Sequence, residues 1–579
     1  MCDVWMFLLS CSSVFYYLCN RNKFYNFKSM TINKRLAALA SMPIALTAVA
    51  ADQQSRKPNI LMIMTDDHAY QAVSAYGHNL VYTPNIDRIA NEGMRMDRAY
   101  VANAISGPSR ACILTGKYSH VNGFTDNSRT FDGNQQTFPK VLRSAGYQTA
   151  MIGKWHLNSE PQGFDSYSIL IGQGEYYKPQ FFENGDTIVE PGYVTDVITD
   201  KAIDFVDHAD KDRPWAMLYY HKAPHRNWMP AQRHLGLYAD SVFAEPANLL
   251  DDYSGRGSAA RGQEMEIARH MWPEWDLKLM TPEALAQDYS IERSGDANKD
   301  DVRGANDWRA SVMHYQDMYN RMTPKEKERW NKAYAPRIAE WDSVKTLPQD
   351  QITKWKYQQY MRDYAAVIHA VDENIGRMLA HLDSIGELDN TIIVYTSDQG
   401  FFLGEHGWFD KRFMYEECQR TPMVIRYPGK IPAGTTSDAL VMNIDLAPTF
   451  IDLAGIEVPS DIQGRSMQPV FASGGKAPED WRTGVYYHYY EYPSWHSVKR
   501  HYGIRTSDYK LIHFYNDVDE WELYDMRRDP SEMNNVYNDP AYAKVRAVLH
   551  EQLKNLQKEV GDNDPEEKEY EFFSGAANL

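Results

Sequence analysis

The sequence predicts an α/β fold, an open mixed sheet sandwiched by helices, with a smaller α+β unit following it. Three observations carry this expectation. Continuous apolar runs of six or seven residues alternate with helical patterns across residues 57–400, as the buried strands of an α/β sheet do. The four clearest runs all end in ionisable residues, and open α/β sheets bind ligands beyond the carboxyl ends of their strands. Past Pro459 the runs give way to short stretches of alternating aromatic residues, the pattern of antiparallel strands with one solvated face.

The first run, residues 59–65, follows Lys57-Pro58 and stops at Asp66-Asp67. Two adjacent carboxylates at a strand end repel each other unless a cation lies between them; the alternative is an Asp that caps the next helix. Thr83-Pro84 opens a helix that continues through Ile89 and Ala90. Residues 106–116 (SGPSRACILTG) read as a turn feeding a short helix, punctuated by Gly107 and Pro108 and stopped by Gly116. Ser106 thereby sits at a helix N-terminus, where backbone N–H groups attract negative charge. A helix over 138–145 is closed by Gly146, and a second strand over 147–152 ends in Gly153-Lys154-Trp155-His156. A third strand, 215–220, ends in His221-Lys222-Ala223-Pro224-His225. Residues 235–350, rich in charge and Trp, read as helical insertions over the site. Apolar residues from Tyr357 to Leu382 recur at helical spacing, and a fourth strand, 391–396, ends in Ser397-Asp398-Gln399-Gly400. Strands over 484–492, 501–505, 509–515 and 521–524, then an amphipathic helix over 541–560, make the second unit. The expected divisions are a leader, 1–50, a main domain, 51–470, a C-terminal subdomain, 471–560, and an acidic tail, 561–579.

With 579 residues, 43% hydrophobic and 24% charged, the chain suits a folded protein with a large core. A formal net charge of −17 argues against nucleic acid or an anionic membrane as partner, so an anionic ligand must be drawn by a local cationic pocket. Residues 4–19 carry no charge but fall short of the about 20 residues a spanning helix needs. From Met30 the sequence reads as a secretory signal: Lys34 and Arg35, an apolar stretch over 36–49, and Ala48-Val49-Ala50 as the cleavage site. Met30 is therefore the expected start, residues 1–29 an over-extended reading frame, and the expected location periplasmic or extracellular, with no membrane span in the mature chain. Leu9-Ser10-Cys11 allows a lipoprotein reading but lacks the basic flank. Removal of 1–50 leaves Cys112 and Cys418, so disulfides contribute little.

The stretch from Ser106 to Gly116 resembles the signature of the type I sulfatases, in which a Cys or Ser is followed by x-Pro-Ser-Arg and later by Thr-Gly. The likeness runs from about Lys57 to Val536 and implies an alkaline-phosphatase-like fold. It also implies that Ser106 is oxidised by a maturase to formylglycine, whose hydrate attacks sulfur. Asp66, Asp67, Asp398 and Gln399 match the family's metal ligands; Gln stands where Asn or His is usual, but still offers a hard oxygen. With Ser106 they make an all-oxygen set that suits Ca²⁺, and Mg²⁺ less well. By the same resemblance Lys154 and Lys411 bind the sulfate group, Arg110 steadies the nucleophile, His156 takes a proton from it, and His225 protonates the leaving oxygen. Arg412, His496, Arg500 and His501 are candidate contacts to the sugar. The segment around Val498-Lys499-Arg500-His501-Tyr502-Gly503 resembles that of bacterial glucosamine-6-sulfatases. This implies exo-acting 6-O-desulfation of N-acetylglucosamine-6-sulfate from heparan- or keratan-type glycosaminoglycans. The alternatives are a sulfatase of another sugar position or of aryl esters, a phosphodiesterase or phosphonate hydrolase of the same superfamily, and a sugar-binding protein with an unconverted Ser106.

Overall fold

The computed structural model describes residues 56–287 and 305–566; the expected leader 1–50, its Met30 start, and residues 567–579 of the expected tail lie outside them. Four parallel strands sit at its centre: β1 (Asn59–Thr65), β2 (Gln148–Gly153), β3 (Trp215–Tyr220) and β4 (Thr391–Ser397). They lie side by side in the order β4-β1-β3-β2 within a sheet of ten strands. The sheet is mixed. Met423–Arg426 runs antiparallel to β4, and beyond β2 the parallel strand Ser166–Leu170 is followed by the antiparallel pair Gln180–Glu183 and Asp186–Val189.

Side-chain alternation explains why these strands read as unbroken apolar runs. Ile60, Met62, Met64, Leu218 and Val394 face one side and pack with helix α1 (Ser106–Thr115). Leu61, Ile63, Met217, Tyr219 and Tyr395 face the other, against α2 (Val194–His208) and α3 (Gln349–Ser384). Both faces are covered, so neither needs polar residues, and each fully buried side chain contributes about 1.5–3 kcal/mol. Register then levels the strand ends. Thr65 lies opposite Ser397, and Tyr220 lies opposite both Met64 and Gly153. Asp66, Asp398, Lys154 and His221 therefore leave the sheet along one edge.

Strands β5 (Gly484–Tyr489), β6 (His501–Thr506), β7 (Tyr509–Phe514) and β8 (Glu520–Asp525) form a separate antiparallel sheet in sequential order. Contrary to the sequence reading, neither of its faces is solvated. Tyr487, Tyr489, Ile512 and Phe514 pack against Trp408, Phe413 and Tyr415 of the segment after β4. Val485, Ile504, Leu511 and Leu523 pack under helix α4 (Ala543–Val560) through Leu549 and Leu553. The region 235–350 also differs from expectation. Up to residue 287 it is extended loop with only two short helical turns, Ser258–Gly262 and Pro282–Leu285, and long helices, Ala305–Asn320 and Pro324–Val344, come after it. Its loop is pinned by buried ion pairs, Arg226 to Asp276 at 2.7 Å and Lys278 to Asp363 at 3.0 Å, which a charge-rich composition does not distinguish from helix. Among the described residues no helix is long and apolar enough to cross a membrane.

Candidate active site

The four strand ends and the N-terminus of α1 meet at one place. Asp66 and Asp67 follow β1 and Asp398 follows β4, and all three carboxylates are fully buried. Ser106 occupies the first helical position of α1, after the extended Ile105, and its hydroxyl donates to Asp66 Oδ1 at 2.9 Å. The whole of α1 is buried, which is why its sequence shows no amphipathic stripe. Arg110, one turn along, donates from Nε and Nη2 to Asp398 Oδ2 at 3.1 and 2.9 Å and from Nη1 to the Lys154 carbonyl at 2.6 Å. It thereby ties the ends of β2 and β4 to the signature helix.

The acids are matched by ammonium groups. Lys154 Nζ contacts Asp66 Oδ2, and Lys411 Nζ donates to Asp67 Oδ2 at 2.7 Å. Gln399 Nε2 donates to Asp67 Oδ1 at 2.6 Å, and the Asp67 N–H donates to Asp398 Oδ1 at 3.2 Å. Burial pushes the Asp67 carboxyl up to about 6; the Lys411 ammonium opposes this, while Asp398 and Asp410 add to it. The set fits a hard divalent cation on two counts. Gln399 Oε1 is buried with no hydrogen-bond partner, and the Asp66 and Asp67 carboxylates present oxygens within 4.8 Å of one another, with the His225 ring beside them. Three carboxylates and an amide oxygen are the donors calcium takes.

The histidines lie in the same cup. His225 donates from Nδ1 to the Arg226 carbonyl at 2.8 Å, which leaves Nε2 as its lone-pair nitrogen, 3.9 Å from Asp67 Oδ2. Burial, then the charges of Lys154, Lys411 and Lys222, hold its pKa well below the ordinary histidine value. His156 is held low by burial first, then by Lys154, Arg110, Lys411 and Lys222. Both rings are neutral at pH 7.

Sequence reasoning missed two residues. Gln173 accepts from Lys154 Nζ through Oε1, and its Nε2 lies 3.0 Å from His156 Nε2. Burial, then Lys222 and Lys411, lower the Lys154 pKa, but its contact with Asp66 keeps it an ammonium; an ammonium can only donate, so the amide is oriented with N–H toward His156, whose Nε2 accepts. Lys222 donates to the Gln173 carbonyl at 3.2 Å, and burial lowers its pKa to about 8. Lys222 was visible as a cation at a strand end; Gln173, between Gly172 and Gly174 just after a strand, offered only a weak signal.

Of the four candidate sugar contacts, two share Asp410, the residue before Lys411. Arg412 Nη1 contacts Asp410 Oδ1, and His496 Nε2 lies 3.2 Å from Asp410 Oδ2. Of the other two, His501 is corrected. His501 is fully buried between Tyr487, Phe413 and Phe514, with Nε2 accepting from the Met414 N–H and Nδ1 facing the Lys499 carbonyl. It is a core residue with no surface to offer a ligand. Arg500 donates to the carbonyls of Tyr490 and Tyr492 at 2.8 and 2.9 Å, so its guanidinium ties down the turn after β5.

Residues 58–456 match the family profile described as "Sulfatase", and residues 404–559 match "N-sulphoglucosamine sulphohydrolase, C-terminal". The chain belongs to the sulfatase family. It is 59% identical, over 94% of each chain, to the N-acetylglucosamine-6-O-sulfatase of Bacteroides thetaiotaomicron. A solved structure of a protein bound to its substrate D-glucosamine-2-N,6-O-disulfate is 60% identical, with a TM-score of 0.84, and covers 89% of this sulfatase and all of that chain. The human N-acetylglucosamine-6-sulfatase is 26% identical over 75% of this sulfatase and 68% of its own length. The phosphonate monoester hydrolase of Agrobacterium radiobacter, at 19% identity and a TM-score of 0.60 over 87% of this sulfatase and 96% of that chain, shares the fold. The sulfatase is a sulfuric ester hydrolase on an alkaline-phosphatase-like fold.

Proposed function

We propose that this sulfatase removes the 6-O-sulfate from terminal N-acetylglucosamine-6-sulfate of heparan- or keratan-type glycosaminoglycans. The observation that carries the chemistry is the convergence of Asp66, Asp67, Asp398, Gln399 and Ser106 on one point walled by Lys154 and Lys411. The choice of sugar rests on the two similar proteins, one named for N-acetylglucosamine-6-O-sulfate and one bound to a 2-N,6-O-disulfate. A 6-O-sulfate on glucosamine is common to both.

Asp66, Asp67, Asp398 and the free Oε1 of Gln399 would hold calcium, with magnesium the poorer fit. When present, calcium and the formylglycine made from Ser106 supply charge neutralisation and the nucleophilic oxygen. The Lys154 and Lys411 ammonium groups hold the sulfuryl oxygens, a preorganised cationic wall of the kind that stabilises developing charge. Arg110 fixes the Asp398 carboxylate and the Lys154 carbonyl. His156, with Nε2 unprotonated, takes the proton of the nucleophile once the Gln173 N–H that caps that nitrogen gives way. His225 Nε2 protonates the sugar oxygen as it leaves, a contribution of roughly 10²–10⁴-fold for a poor leaving group. The incoming sulfate anion offsets the lysine charges that hold His225 neutral, so substrate itself favours the protonated ring. Arg412 and His496, oriented by Asp410, line the sugar side. Conversion of Ser106 requires a maturase, and the secretory signal read in residues 30–50 supports a periplasmic or extracellular location.

Mass spectrometry of the natively produced protein tests the first step: oxidation of Ser106 lowers the mass of its peptide by about two hydrogens. Ser106→Ala is expected to abolish sulfate release from N-acetylglucosamine-6-sulfate and leave the melting temperature within a few degrees of the parent. Turnover by Ser106→Ala would overturn the assignment. A panel of 6-O-, 3-O- and 2-O-sulfated glucosamines and uronates tests the substrate, and release from a position other than 6-O would refute it.

A further inference from the structure

We propose that His234, His369 and Glu373 form a second metal site, selective for zinc or a similar late first-row ion, that clamps the His225 segment to α3. His369 and Glu373 are four residues apart on α3 and so share one face. His234 comes from the loop after β3, nine residues beyond His225. Its Nε2 lies 3.0 Å from Glu373 Oε1, and His369 Nε2 lies 3.5 Å from the same oxygen. The two imidazoles cross edge to face at 4.9 Å between centroids, and the three ligand atoms fall within 4.8 Å of one another. Ligands at zinc bond lengths of about 2.0–2.1 Å in a tetrahedron are about 3.3 Å apart, and the two histidine nitrogens lie on either side of that distance from the carboxylate oxygen, His234 at hydrogen-bond range.

The donor chemistry separates this site from the catalytic one. Two imidazoles and one carboxylate suit zinc, copper or nickel, whereas calcium takes oxygen alone. The surroundings orient the carboxylate. Arg233 Nε donates to Glu373 Oε2 at 2.9 Å, and its two Nη groups donate to Asp196 at 2.7 and 2.8 Å, so the guanidinium charge is already matched. Such outer contacts hold a ligating group in place. His234 is buried, while the side chains of His369 and Glu373 are 33% and 39% exposed, which gives an ion a path from solvent and leaves a fourth position for water. The clamp would add to the tethers already on this segment, from Tyr193 to the Met229 carbonyl and from Tyr177 to the Pro230 carbonyl.

Zinc titration of the full-length, calcium-saturated enzyme tests this by calorimetry and by metal analysis after gel filtration. One zinc per chain is expected, bound at micromolar or lower concentration and not displaced by excess calcium. His369→Ala and Glu373→Gln should each weaken it by about tenfold or more. Cobalt substitution should give the intense visible absorption of a tetrahedral ion, lost in His369→Ala, a readout that does not depend on turnover. Absence of zinc binding would overturn the proposal, and so would zinc that calcium displaces or that both variants bind undiminished, since either places the ion away from these three residues.

Discussion

A proton donor inside a ring of ammonium groups needs negative charge beyond the carboxylates that those groups already pair. His225 is held neutral by burial and by Lys154, Lys411 and Lys222, and its Nδ1 is committed to the Arg226 carbonyl. In the proposed mechanism it acquires its proton on Nε2 when a sulfate ester fills the cup. The need for that proton scales with the leaving group. His225→Ala is expected to slow a sugar 6-sulfate by roughly 10²–10⁴-fold but an aryl sulfate with an acidic phenol far less; equal losses on both would refute the role, since only a leaving-group effect discriminates. Gln173 acts at one remove. Its amide, oriented by Lys154, donates to His156 Nε2 and fixes which nitrogen accepts. Gln173→Ala removes one net hydrogen bond to each, about 1.4 kcal/mol, so kcat should fall about tenfold with KM little changed. A rise in KM at constant kcat would show that Gln173 binds substrate instead.

At the scale of elements, strand ends decide where these residues stand. Gly153, the last residue of β2, has φ +106°, and a Cβ built there would come within 1.8 Å of the Tyr220 carbonyl oxygen of β3. Any side chain forces β2 away from β3 and carries Lys154 out of the cup. Gly153→Ala is expected to destabilise the fold by about 2–6 kcal/mol, the sum of overpacking and backbone strain, and to abolish activity; urea unfolding and sulfate release measure the two effects. The central strands were legible in the sequence because both faces of the sheet are covered, so each strand is a continuous apolar run ending where Asp66, Lys154 and Asp398 begin. The C-terminal strands were legible as strands, but their burial was not: the alternation of Tyr486, Tyr487, His488 and Tyr489 looks the same whether its second face meets water or α4. His501 was misread for a related reason. A histidine that spends both nitrogens on backbone groups carries no mark of it in the sequence, nor do Arg233 and Glu373, which meet across 140 positions.

For the whole molecule, the acids that gather at the sheet edge make stability and calcium binding one problem. Burial pushes the Asp67 carboxyl of the folded chain up to about 6, above the ordinary carboxyl value of about 3.9. A group raised on folding stabilises fully below its unfolded pKa, and that stabilisation is lost as pH rises through its folded pKa. Between about pH 4 and pH 7 the calcium-free protein therefore loses roughly 3 kcal/mol at this residue. A calcium ion held by Asp67, as proposed, would bind the deprotonated carboxylate and so offset what the rise in pH removes. Below pH 6 the ion must displace a proton, and its affinity should fall by up to tenfold per unit. Melting curves of one preparation with calcium and with EDTA should therefore diverge progressively from about pH 4 to pH 7, and calorimetry below pH 6 should show proton release on binding. The difference between the paired curves removes every group that titrates alike in both, so curves that stay parallel across that range would mean that Asp67 does not ligate the ion.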